Sequence, residues 1–349
     1  MPGRITICDI AKKAGIHFST VSLALKNDSR INSKTKELVM KIAKELGYMP
    51  DPMLSALSAY RRLNKPVQYH GTIAWVVDNA PSPSCFDSYF SGASERALQY
   101  GYRVERFWLN EPGMNQEKAG KVLVSRGIRG LLLSPSENSQ THFNMDWDSF
   151  SVVKFGYSII EPPVHLVTSA HYSAVATTMK KLAAKGFARI GYVSAPNFEQ
   201  RVDSNFMAAF LTARFSLPES KAVPVLFCET LSKPIFMDWF KKYHPQAIVT
   251  WNNAVPGWLR EEGRRVPDDV CVAIPNLPDV ATGENTKGLC GILDASRAIG
   301  STAVDLLSTM LLHGERGIPA NPLKMLIEGT WVDFSSEPQL LKKSPLARL

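Results

Sequence analysis

The chain has 349 residues, 45% of them apolar and 21% charged, enough for two or three compact units around a buried core. No apolar run approaches the ~20 residues of a membrane span, "MPGRITICDI" contains no signal-peptide h-region, and five scattered cysteines without a CxxC argue against a disulfide or metal framework, so the cytoplasm is the expected compartment. Residues 1–65 carry 12 Lys+Arg against 5 Asp+Glu, a net of +7 out of +8 for the chain, so a polyanion partner for this head competes with a merely solubilising cluster.

Thr6 reads as the N-cap of a first helix, with Asp9 three residues on in a capping-box arrangement. Ile7, Ile10, Ala11 and Ala14 recur at helical spacing, and Gly15 stops the run. A second helix covers roughly His17–Leu25. At about 100° per residue its packed face is Val21, Ala24 and Leu25, and its other face is Ser19, Ser22, Leu23 and Lys26. A third starts from Asn32 as N-cap, carries Val39, Ile42, Ala43 and Leu46, and ends at Gly47. Two short helices joined by a glycine-containing turn and braced by a third describe a helix-turn-helix, whose second helix lies in the major groove.

The stretch "YMPDPMLSALSAYRRLNK" has Asp51 as N-cap and Pro52 at the first helical position. A helix ending near Tyr60 is marginal alone. Met53, Leu54 and Leu57 lack a core to cover and stand next to Arg61, Arg62 and Lys65. A helix that folds when paired on DNA, wedging a leucine between minor-groove base steps, accounts for these features. A linker helix packed on the next domain is the other reading.

From Gly71 onward, apolar runs alternate with helical segments. "GTIAWVV", "YRVERFWL", "GIRGLLLS", "SVVKFGY", "RIGYVS", "AVPVLF", "QAIVTW", "VCVAIP" and "GLCGIL" are the expected strands. Helices fit at Phe90–Tyr100, Ala174–Lys185, Asn205–Phe215, Ile235–Tyr243 and Ala295–His313. This alternation predicts α/β units with two doubly wound parallel sheets.

The head resembles the LacI/GalR transcription-regulator family through Asp9, Ala11, Ala14-Gly15, Thr20-Val21-Ser22, Thr35 and Leu46-Gly47-Tyr48-Met49-Pro50. The body is similar to the same family's two-lobed sensor, of periplasmic-binding-protein type, through "LAAKGFARIGYVS", "RVPDDVCVAI" and "IGSTAVDLLSTMLLHGE". The resemblance implies an all-α helix-turn-helix head over residues 1–50, a hinge helix and linker over 51–66, and an effector-binding and dimerisation domain over 67–349. Lobe one would take about 70–168 and 296–328, and lobe two about 169–295 with the tail. It further implies a cytoplasmic homodimeric regulator, most naturally a repressor, on a pseudo-palindromic duplex operator, controlled by a sugar or related metabolite between the lobes.

Carried onto this sequence, the DNA-contacting set is Thr6, Ile7, His17, Phe18, Ser19, Thr20, Ser22, Leu23, Lys26, Asn27, Arg30, Asn32, Thr35, Tyr48, Leu54, Leu57 and Arg61, with Leu57 at the family's hinge-leucine position. His17 stands where the family usually has serine. Leu23 stands where several members have arginine or histidine, and leucine can touch a thymine methyl but cannot hold guanine bidentately. Selection of bound sequences from a random pool should therefore return thymine opposite Leu23, not guanine. The effector set is Phe86, Asp87 and Tyr89 from "SCFDSYF", Arg201 before Asn205-Phe206, Trp251 and Asn252 in "TWNNA", and Asp294, while Pro275-Asn276 replaces an Asp pair. Aromatic stacking with Arg and Asp hydrogen bonds suits a small polar ring.

No enzyme motif competes. GxSxG, GxGxxG and Walker loops are missing from the sequence, and the seven histidines show no metal spacing, so neither cofactor nor metal is expected. A transport solute-binding protein would have no use for the basic head.

Overall fold

The computed structural model describes residues 5–25, 28, 30–48, 70–78, 86–109, 111, 114–136, 138–216, 222–278 and 286–333. Lys26, Asn27 and the proposed hinge residues Leu54, Leu57 and Arg61 lie outside them.

In the head, α1 (Ile7–Ala14), α2 (Phe18–Leu25) and α3 (Ser33–Leu46) enclose Ile10, Ala11, Val21, Ala24, Val39, Ile42 and Ala43. The Thr6 amide and hydroxyl donate to Asp9 Oδ2 at 2.8 and 2.7 Å, fixing the start of α1. Gly15 and Gly47 end α1 and α3 at φ +65° and +68°, where a Cβ is strained. Asn32 Oδ1 accepts from Thr35 N at 2.8 Å and starts α3.

The body follows as β1 (Gly71–Val77), α4 (Asp87–Gln99), β2 (Tyr102–Trp108), α5 (Gln116–Ser125), β3 (Gly130–Leu133), β4 (Thr141–His142), β5 (Ser151–Phe155), β6 (Ile159–Glu161) and β7 (His165–Ser169). The chain continues through α6 (His171–Ala184), β8 (Ile190–Ser194), α7 (Pro196–Arg201), α8 (Asn205–Arg214), β9 (Leu226–Phe227), α9 (Lys233–Tyr243) and β10 (Ala247–Thr250). Then come α10 (Val255–Glu261), β11 (Cys271–Leu277), β12 (Leu289–Leu293), α11 (Ser296–His313), β13 (Lys324–Ile327) and β14 (Thr330–Asp333). The first large sheet has the order β13-β7-β5-β3-β1-β2 and the second β14-β12-β11-β10-β8-β9, and β4 pairs with β6. All ladders in the large sheets are parallel except β12–β14.

Both faces of each large sheet are covered, as parallel sheets require. Ala74 and Val76 pack on one face of the first sheet with Ala119 and Leu123 of α5, while Ile73 and Trp75 pack on the other with Ala93, Ile299 and Val304 from α4 and α11. At the α4–α11 crossing two backbones touch. A Cβ added at Gly92 would lie 2.1 Å from Arg297 O, and one at Gly300 would lie 2.0 Å from Tyr89 O.

The chain passes between the two sheets three times, after β7, β12 and β13. The third passage presses on the second, since a Cβ at Gly329 would meet Leu293 O at 2.5 Å.

Strands β4, β6, β7, β13 and β14 and helices α5, α7 and α10 are not among the elements named from the sequence. His165 and Thr168 interrupt the apolar run of β7, and the structure compensates by having His165 Nδ1 accept from Leu323 N at 2.9 Å. Strand β13 is a short, mostly exposed edge, and β14 turns antiparallel against β12, which departs from an all-parallel sheet.

Candidate DNA-reading head and interlobe cleft

On α2 the buried side chains are Val21 and Ala24, while Phe18, 53% exposed, and Ser19 face outward and Thr20, Ser22 and Leu23 are half-buried. His17 caps this helix. Its Nδ1 lies 2.7 Å from Ser19 Oγ and 3.4 Å from Ser19 N, and its ring sits 4.4 Å from that of Phe18. With Nδ1 as acceptor, the Ser19 hydroxyl and amide both donate to it.

Several of the expected contact residues have structural work within the head. Arg30 Nε and Nη2 donate to the Asp28 carboxylate at 2.9 and 2.8 Å, and the guanidinium holds that carboxyl well below its ordinary range. Asn32 caps α3, Thr6 caps α1, and Ile7 and Tyr48 pack on the head core. Thr35 is half-buried in the first turn of α3. The free outward face thus belongs to α2, with Phe18 and Leu23 as its apolar members.

In the body, side chains following strand carboxyl ends converge where the chain passes between the sheets. Asp294, just beyond β12, is a hub. Its Oδ1 accepts from Ser169 Oγ at 2.5 Å, and its Oδ2 accepts from Ser296 Oγ at 2.8 Å and Tyr89 OH at 3.2 Å. It therefore joins the first passage, the second passage and α4.

Two contacts bridge the lobes further out. Ser139 Oγ donates to Gln200 Oε1 at 3.0 Å, and Lys324 Nζ stands 3.5 Å from an Asp203 carboxylate oxygen. Lys324 also lies over the Tyr157 ring at 4.9 Å. Tyr157 is carried by the turn after β5. Lys154 Nζ donates to the carbonyls of Ile159, Ile160 and Pro162 at 2.8, 3.2 and 3.0 Å, and burial pushes its ammonium down to about 8.

From Tyr157 an aromatic series runs into lobe two. The Tyr157–His171, His171–Phe206 and Phe206–Phe198 centroids are 5.8, 5.4 and 5.3 Å apart, and Phe198 stacks on Trp251 at 4.6 Å and 6°. Burial lowers His171 to about 4, so its imidazole is neutral at physiological pH. Helix α7 is anchored beneath by Glu199, which accepts from Tyr192 OH, Ser194 Oγ and Met207 N at 2.5, 2.6 and 3.2 Å.

Of the expected effector residues, the structure brings Trp251 onto Phe198 and Tyr89 onto Asp294. Arg201 is half-buried in the last turn of α7. Asn252 is engaged in a local turn, its Oδ1 accepting from Ala254 N at 2.8 Å. Phe86 packs near Tyr89 at 5.8 Å, whereas Asp87 is exposed and paired with Arg106 at 2.6 Å, away from the hub. Sequence reasoning missed Tyr157, Ser169, His171 and Phe198. Their signal was position, since each follows closely on a strand's carboxyl end, where ligands of open α/β sheets bind.

The sequence profile described as bacterial regulatory proteins, lacI family, matches residues 6–51. The chain is 22% identical over 281 residues to the HTH-type transcriptional regulator DegA of Bacillus subtilis (strain 168), covering 77% of this chain and 80% of that one. It is 23% identical over 283 residues to the HTH-type transcriptional repressor PurR of Mannheimia succiniciproducens, covering 76% and 80%. Among solved structures it resembles a transcriptional regulator CelR–cellobiose complex, with a TM-score of 0.55 and 20% identity over 95% of this chain and 100% of that one. It also resembles a lac repressor dimer bound to operator and the anti-inducer ONPF, with a TM-score of 0.53 and 18% identity over 95% and 98%. These structures share its fold.

Proposed function

We propose that the chain, whose residues 6–51 match the profile of the lacI family of bacterial regulatory proteins, is a regulator of that family and acts as a cytoplasmic, homodimeric repressor whose operator affinity is set by a small molecule held between its lobes. The observation that carries this reading is the free α2 face of a three-helix head within a segment of net charge +7. Each head reads one half of a pseudo-palindrome through Phe18, Ser19 and Leu23, and Leu57 of the paired hinges enters the minor groove between the half-sites. The domain limits are those of the sequence reading: head 1–50, hinge 51–66 and receptor 67–349.

The solved structures that share this fold hold cellobiose or ONPF, and a small metabolite between the lobes is the effector this reading carries over to the chain. An effector that favours one angle between the lobes shifts the population of ordered hinges and so the affinity for DNA.

A gel-shift titration against genomic fragments tests the reading. Affinity for the selected operator should fall by about a thousandfold between 50 and 200 mM salt, as release of counterions from several phosphates requires. Leu57→Ala should weaken operator binding by about 30-fold while leaving non-specific binding nearly unchanged. Weak binding that is indifferent to salt would overturn the proposal, and equal losses on both DNAs would remove the wedge from it.

A further inference from the structure

Helix α2 starts from a histidine cap. The His17 carbonyl accepts from Thr20 N at 2.9 Å and from Val21 N at 3.2 Å, which places His17 at the N-cap position. Its side chain does there what serine or asparagine ordinarily does, since Nδ1 lies 3.4 Å from Ser19 N. An amide nitrogen can only donate, so Nδ1 meets it with its lone pair and the ring proton sits on Nε2. The same lone pair faces Ser19 Oγ at 2.7 Å, so the Ser19 hydroxyl hydrogen is committed to the imidazole. The Phe18 ring, with its centroid 4.4 Å from that of His17, packs against the imidazole and holds it in place.

What the exposed Ser19 hydroxyl then presents to a partner is its lone pairs alone. Phe18 and Leu23, the apolar members of the same face, bring no side-chain donor. In the major groove adenine N6 and cytosine N4 donate, whereas guanine O6 and N7 and thymine O4 only accept. An acceptor-only hydroxyl pairs with the first two bases and sets lone pair against lone pair with the others. Resting on the reading that α2 lies in the major groove, we infer that His17 is a positioning residue that sets Ser19 to read an amino base. At one operator position Ser19 Oγ accepts from adenine or cytosine. Guanine or thymine is disfavoured there because Nδ1 of His17 holds the hydroxyl hydrogen.

The test is selection of bound duplexes from a random pool by the full-length protein and by its Ser19→Ala, His17→Ala and His17→Asn variants. Gel-shift titration then compares the four bases at the position where Ser19→Ala loses its preference. The unmodified protein should prefer adenine or cytosine there by about tenfold over guanine or thymine, as one hydrogen-bonded base contact provides. His17→Ala frees the hydroxyl to turn, and the preference should fall below about threefold. In His17→Asn the side-chain oxygen only accepts, so it caps the helix and takes the hydroxyl hydrogen, and most of the preference should remain. A preference for guanine or thymine in the unmodified protein would overturn the inference, whether or not any variant folds. An unchanged base ratio in His17→Ala, with equal loss on all four duplexes, would reduce His17 to a helix cap and overturn it too. Loss of the preference in His17→Asn, or a Ser19→Ala selection identical to the parent's at every position, would do the same. Failure of the unmodified protein to select any sequence would instead overturn the placement of α2 in the groove.

Discussion

Gly300→Ala is expected to destabilise the body by about 3 kcal/mol, the upper end of what overpacking a well-filled core costs. The added methyl would lie 2.0 Å from Tyr89 O and 2.8 Å from Ala93 N. Both are backbone atoms of a helix, so no side-chain rotation relieves the clash, and α4 must move away from α11. That movement opens gaps among Ala93, Ile299, Ala303 and Leu307, all fully buried. Gly120→Ala is the control. Its nearest neighbour would be Met145 Cβ at 3.9 Å, and a helical alanine with room gains up to about 1 kcal/mol over glycine. Urea unfolding of the two variants should separate them on opposite sides of the parent protein. Gly300→Ala unfolding at the parent's midpoint would mean that the two helices do not cross this closely.

Asp294→Ala should cost about 2–4 kcal/mol, because three hydroxyls lose their acceptor in a half-buried setting. Its second effect is mechanical. Ser169 and Ser296 flank two of the passages between the lobes, and the carboxylate ties both to Tyr89 of α4. Without it, peptides covering 165–175 and 290–300 should exchange their amide hydrogens at least tenfold faster, while strands at the sheet centres keep their protection. Asp294→Asn, which retains one acceptor oxygen, should recover part of the stability. Unchanged exchange in the alanine variant would show that the hub does not control the passages.

The head was legible almost residue by residue. Its signals are local: Thr6 and Asp9, Gly15, Asn32 and Gly47 act within one turn of where they stand, and the buried stripe Val21–Ala24 follows from helical geometry. Strands such as "GTIAWVV" and "GLCGIL" were equally readable, because a strand covered on both faces is an apolar run. Strand β7 was not, since its His165 is satisfied by an amide 158 positions away.

The cleft was less legible than either. Asp87 and Tyr89 are two residues apart in "SCFDSYF", yet one turns to Arg106 on the surface and the other to Asp294. Trp251 was picked out from "TWNNA" but Phe198 is unremarkable in sequence, and the two become a stacked pair because β8 and β10 are neighbours in the sheet.

What the linear chain determined by itself is most of the longer helices and strands with their caps and turns, together with the resemblance of its first fifty residues, because propensity, capping and burial periodicity act over a few residues. Tertiary structure decided which polar groups find partners and which are left enclosed without one. That outcome depends on contacts between distant segments, such as Tyr89 with Asp294 across 205 positions, and no local rule specifies them.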